Sequence, residues 1–149
     1  MRGKRMLAVS VSLLLVVVQV ACGRRETSSP ESVAQKVLVA WYEGDVDTVL
    51  SLSAPDHRGT AERAWLEDAR EQIGSWYAPC GFGSEQRVQT VDVLVREGTA
   101  TLGGSYTQVT ILHTADGQHA QAVVYVEEVS GDWYVQWLFG PNIQVSPRL

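Results

Sequence analysis

The stretch Arg87-Val88-Gln89-Thr90-Val91-Asp92-Val93-Leu94-Val95-Arg96-Glu97-Gly98 decides how the chain is read, because here the apolar period drops from near 3.6 to 2. Val91, Val93 and Val95 alternate with Asp92 and Arg96, the pattern of a strand with one buried face. Glu97-Gly98 then reads as a turn. Downstream, a strand is expected from about Thr99 to His113, bent or bulged at Gly103-Gly104. A turn follows at Ala115-Asp116-Gly117, a third strand over Val123 to Val126, a turn at Ser130-Gly131-Asp132, and a last strand from Trp133 to Phe139. Along that last strand Trp133, Val135, Trp137 and Phe139 share one apolar side.

Upstream of residue 87 the spacing is helical. Ser29-Pro30 is a capping serine followed by a proline in the first helical position, where its missing N–H costs nothing. Val33, Val37, Leu38 and Trp41 share a face, and Gly44 can accept the left-handed conformation that ends a helix. Asp45 caps a short second helix with Val46, Val49 and Leu50 as its buried stripe, closed by Pro55. After Asp56-His57-Arg58, read as surface loop, a third helix is expected to bury Trp65, Ala69, Ile73 and Trp76 and to expose Glu67, Arg70 and Glu71. The order predicts an α+β domain over residues 30–149: three N-terminal helices packed on a curved antiparallel sheet of four or more strands.

The first 22 residues carry an address. Arg2, Lys4 and Arg5 precede an apolar run from Leu7 to Val18 that ends at Ala21-Cys22, the layout of a signal peptide over 1–21. The run is short for a bilayer-spanning helix, which takes about 20 apolar residues. Val20-Ala21-Cys22-Gly23 resembles the bacterial lipobox, although Gln19 stands where that motif prefers leucine. The resemblance implies lipidation of Cys22, with palmitate among the acyl chains, and a lipoprotein on the outer side of the cytoplasmic membrane. Residues 22–29 then form a polar tether with a reach on the order of 25 Å.

Removing residues 1–21 takes three of the 12 basic residues and none of the 17 acidic ones, leaving a formal charge of −8. That acidity argues against nucleic acid, and it leaves membrane attachment to acyl chains rather than to a broad basic surface. Cys80 remains alone beside Cys22, so no intrachain disulfide is expected and stability must come from packing.

Val33-Ala34-Gln35-Lys36-Val37-Leu38-Val39-Ala40-Trp41-Tyr42-Glu43-Gly44-Asp45 resembles the opening helix of nuclear transport factor 2-like domains, which include the SnoaL-like cyclases. Ser130-Gly131-Asp132-Trp133-Tyr134-Val135 is similar to their closing hairpin. The resemblance implies a cone-shaped roll whose interior can hold a small hydrophobic ring compound. It also implies that enzymes of the family place a carboxylate base near Tyr, Asp or His donors in that cone. Family membership fixes no activity, because the fold hosts enzymes and inert modules alike.

No catalytic residue, metal or cofactor is assigned from the sequence. Asp92 points away from its valine neighbours and reads as solvated. Depending on whether the loop before it has three residues or two, His119 faces His113 across the hairpin or lies on the other side. Even a facing pair lacks the third ligand that a metal requires. The bland expectation is two exposed histidines. Cys80, in Pro79-Cys80-Gly81-Phe82-Gly83, has no base or positive field beside it in sequence. Tyr42, Trp65, Trp76, Tyr106, Tyr125, Trp133 and Trp137 are the candidate lining of an aromatic pocket. The expected function is an extracytoplasmic binding or accessory module. The alternatives are an isomerase, cyclase or dehydratase acting on a ring compound, and a protein-interaction module of an envelope assembly, with the sheet as a candidate homodimer surface.

Overall fold

The computed structural model describes residues 28–72, 81–101 and 104–148. Residues 1–21, read above as a signal peptide, and Cys22, Ile73, Trp76 and Cys80 lie outside the described residues.

Helix α1 (Pro30–Glu43) is built as its sequence dictates. The Ser29 side chain accepts from the Ser32 N–H, and Gly44 ends the helix at φ 67°. Asp45 caps α2 (Val46–Leu52) through the Thr48 N–H, and the Thr48 hydroxyl, which also donates to it, together with that N–H holds its carboxyl below the usual aspartate range. The last carbonyls of α1 find donors in a distant segment. Gly83 N–H reaches Trp41 O and Glu85 N–H reaches Tyr42 O, both at 2.8 Å. This return brings the Gly83 Cα to 2.8 Å from where a Cβ on Gly44 would stand. Gly44→Ala therefore combines a left-handed backbone with a backbone overlap. It is expected to lower stability by at least about 1–2 kcal/mol in denaturant titration.

Helix α3 (Thr60–Glu71) corrects one expectation. Its buried stripe is Leu66 and Ala69, whereas Trp65 is 38% exposed and lies edge-on to Trp137 with ring centroids 6.1 Å apart. One residue of helical phase, 100°, separates Trp65 from Leu66, and the smaller side chain takes the inward place. Glu67, Arg70 and Glu71 are exposed, as expected.

The sheet is antiparallel, ordered β1-β2-β3-β4, with a fifth strand also pairing β3. Strand β1 (Val88–Thr101) does not turn at Glu97-Gly98. Those two residues oppose Thr107 alone, so they form a bulge, with Gly98 at φ 83°. A left-handed glycine serves a bulge as well as a turn, which is why the two read alike in sequence. The hairpin instead closes between Thr101 and Gly104, making Gly104 the start of β2 (Gly104–Ala115) rather than a kink within it. A second bulge lies between Thr90 and Asp92 and turns Val91 outward, 64% exposed, while Val93 and Val95 keep to the inner side. Asp92 is exposed, as its alternation implied.

Strand β3 (Gln118–Val129) is longer than its apolar centre suggests and forms the middle of the sheet. The expected final strand Trp133 to Phe139 is broken in two. β4 (Asp132–Val135) pairs with residues 126–129 of β3, the chain leaves the sheet over residues 136–142, and β5 (Ile143–Pro147) resumes the pairing with residues 120–124. The excursion is closed by bonds from Gln136 N–H to Tyr125 O and from Asn142 N–H to Gln136 O. Gly140, at φ 153°, lies against Trp65, where a Cβ would fall 2.8 Å from the indole ring. Phe139 thus leaves the apolar side that alternation assigned it, 97% exposed, while Trp137 still packs against the core as Trp133 does.

The core lies between α1 and the inner face of the sheet. Val33, Val37, Leu38 and Trp41 of α1 meet Val109, Ile111, Ala122, Val124, Val126 and Val135. Among the described residues no helix is long and apolar enough to cross a membrane.

Candidate functional site

Alternation on β2 sends Val109, Ile111 and His113 inward, and on this side a buried polar pair of side chains forms. Asp116-Gly117 makes a two-residue turn with φ 47° and 81°, pairing Ala115 with Gln118. That register puts His113 opposite Ala120 and His119 opposite Thr114, so the two imidazoles occupy opposite faces. His113 is 1% exposed rather than a surface histidine, and His119 is exposed. Among the described residues no cluster of three metal-ligating side chains occurs.

The Tyr42 hydroxyl lies 2.9 Å from His113 Nε2, and Nδ1 lies 3.3 Å from the Ile111 carbonyl. A carbonyl can only accept, so Nδ1 carries the proton and Nε2 accepts from Tyr42. Both ring nitrogens of a neutral imidazole are then satisfied. Burial holds His113 below the usual histidine range, and the Ile111 carbonyl only partly offsets this. An acid–base site of this type would add a buried carboxylate. The buried polar residues among those described are Ser53, Thr107, His113 and Gln136, none of them acidic.

The candidate aromatic residues among those described do not converge on one pocket. Tyr42 is buried in the core against His113, with the rings edge to face. Tyr106 and Tyr125 contact each other, centroids 5.0 Å apart, on the opposite face of the sheet. Trp133 is half-buried on β4, and Trp65 and Trp137 meet at the edge of the sheet. Tyr106 and Trp133 also line a small cavity of about 240 Å³ with Glu127 and Glu128, while the Trp65–Trp137 pair belongs to a larger surface.

That surface follows from the segment after α2. Ser53 bridges to Val135, which lays residues 53–58 alongside β4. His57 stacks on Trp137 with an interplanar angle of 13°, and the Arg58 guanidinium sits 5.3 Å from the centre of the Tyr134 ring. Arg58 Nε–H donates to Ser53 O at 2.9 Å, which fixes the guanidinium in place. Asp56-His57-Arg58 is therefore a short 3-10 turn and its cap packed on aromatic rings rather than a free loop. Beside it, Leu138 is 53% and Phe139 97% exposed. Sequence reasoning missed this loop, although Gly140-Pro141 directly after Phe139 was a break signal within the supposed strand.

A separate groove of about 550 Å³ runs between α1 and α2. Its lining includes Gln35, Val39, Glu43, Asp45, Thr48 and Leu52, with Val39 exposed on α1. Comparison of the chain with protein-family models, curated proteins and solved structures finds no match.

Proposed function

We propose that this chain is a lipid-anchored accessory module on the outer side of a bacterial cytoplasmic membrane, acting by binding an envelope protein rather than by catalysis. The observation that supports this reading is the state of the interior. Tyr42 and His113, the tyrosine and histidine found together in the interior, bond each other and Ile111 O rather than facing a cavity. Binding then falls to the exterior. The α1–α2 groove offers an apolar floor at Val39 and Leu52 beside the carboxylates of Glu43 and Asp45, against the one cation of its lining, Lys36, and this net negative rim suits a basic segment carrying an apolar side chain.

Two measurements test the reading. Intact mass of the protein purified from membranes is expected to show residues 1–21 removed and acyl chains on Cys22. A photo-crosslinking residue at Val39 is expected to yield one discrete protein adduct in cells, absent from the same residue at Glu67 and weakened by Glu43→Lys. An unmodified Cys22 overturns the anchor. Equal labelling from Glu67 overturns the groove.

A further inference from the structure

We infer that the face formed by Arg58, Trp133, Tyr134, Trp137, Leu138 and Phe139 docks on the phospholipid surface to which the chain is tethered; this rests on the lipid-anchored reading above. The first argument is where the tether meets the domain. Ser28, the first described residue, accepts through Oγ from the Trp133 N–H at 3.3 Å. It lines a groove of about 320 Å³ with Lys36, Arg58, Asp132, Trp133 and Tyr134. Five residues lie between Cys22 and Ser28, six steps of chain that span at most about 20 Å, so this groove must stay close to the headgroups.

A chain of ring contacts leads on from the groove. Arg58 lies over Tyr134, its neighbour His57 stacks on Trp137, and Trp137 meets Trp65 beside the exposed Leu138-Phe139 tip. Indole and phenol rings favour the boundary between headgroup and acyl chain, and a protruding phenylalanine can enter it. Charge agrees with the placement. Lys36 and Arg58 enter no ion pair among the described residues and face the groove against one carboxylate, Asp132, on a domain that is acidic overall. Phosphate oxygens are the anionic counterparts that would complete these cations, and an anionic bilayer within about 20 Å presents them at high local density.

The test uses the mature protein, purified with its own lipid and reconstituted into phosphatidylcholine–phosphatidylglycerol vesicles with or without brominated acyl chains. Trp65, Trp133 and Trp137 border the proposed face. Intrinsic fluorescence is expected to be quenched in the brominated vesicles and to recover in Leu138→Ser/Phe139→Ser and in Lys36→Glu/Arg58→Glu. Because Phe139 is almost wholly in water, the first variant should keep its unfolding midpoint. No quenching in the wild type, or quenching unchanged in both variants, overturns the docking face. The intact mass of the same preparation judges the lipid on Cys22 independently, so an acylated protein that is not quenched sinks the docking alone.

Discussion

Trp41→Ala is expected to lower the unfolding free energy by about 3–5 kcal/mol, enough to leave much of the chain unfolded if its stability is near the low end of the usual 5–15 kcal/mol. The side chain is 2% exposed, and its ring packs 4.7 Å from that of Phe82. It is also the point where α1 receives the returning segment, since Gly83 N–H bonds the Trp41 carbonyl. Truncation removes the indole from between the helix and that segment, and the surroundings can close only part of the space. Denaturant titration by circular dichroism reads the loss as a lower midpoint with little change in slope. Phe139→Ala is the matched control: an aromatic ring of similar size, 97% exposed, whose removal should shift stability by no more than about 0.5 kcal/mol.

The second large effect concerns His113. Tyr42→Phe keeps the packing and deletes the hydroxyl, leaving Nε2 as a buried acceptor without its partner, at a cost of about 1–3 kcal/mol. The same site makes stability depend on pH. His113 is held neutral by burial, with a folded pKa below the usual value of 6.5, so between those two values the unfolded chain binds more protons than the folded one. Its contribution is therefore complete above pH 6.5 and is lost as the pH falls from there through the depressed folded value. Unfolding midpoints measured from pH 7.5 down to pH 5 should decline in the wild type. In His113→Leu, which removes the titrating ring, that part of the decline should disappear. An identical slope in both would show that other groups carry the pH dependence.

The helical half of the domain was legible because its signals are local. Ser29, Gly44 and Asp45 act on backbone groups within four residues, and each does in the structure what its type implies. The failures have a shared form. Gly98, Gly140 and Asp116-Gly117 were each recognised or available as backbone irregularities, but whether an irregularity becomes a turn, a bulge or a loop depends on the strand opposite. A one-residue difference at Asp116-Gly117 separates a facing histidine pair from a buried His113 and an exposed His119. Likewise Trp65 and Leu66 compete for one inward position, and helical spacing alone favoured the larger side chain.

The candidate site was less legible than the fold. Aromatic residues could be counted and set on strands, yet which of them meet depends on contacts across long sequence separations. His57 reaches Trp137 and Arg58 reaches Tyr134 only because Ser53 bridges to Val135. By itself, the amino-acid order determined the α+β class, the caps and inner face of α1 and α2, and the outward place of Asp92, since periodicity and capping draw on neighbours in the chain. Tertiary structure alone decided the burial of His113, the splitting of the last strand and the projection of Leu138-Phe139. Those outcomes turn on pairing register and on competition for space in a common core, and neither quantity belongs to any one segment.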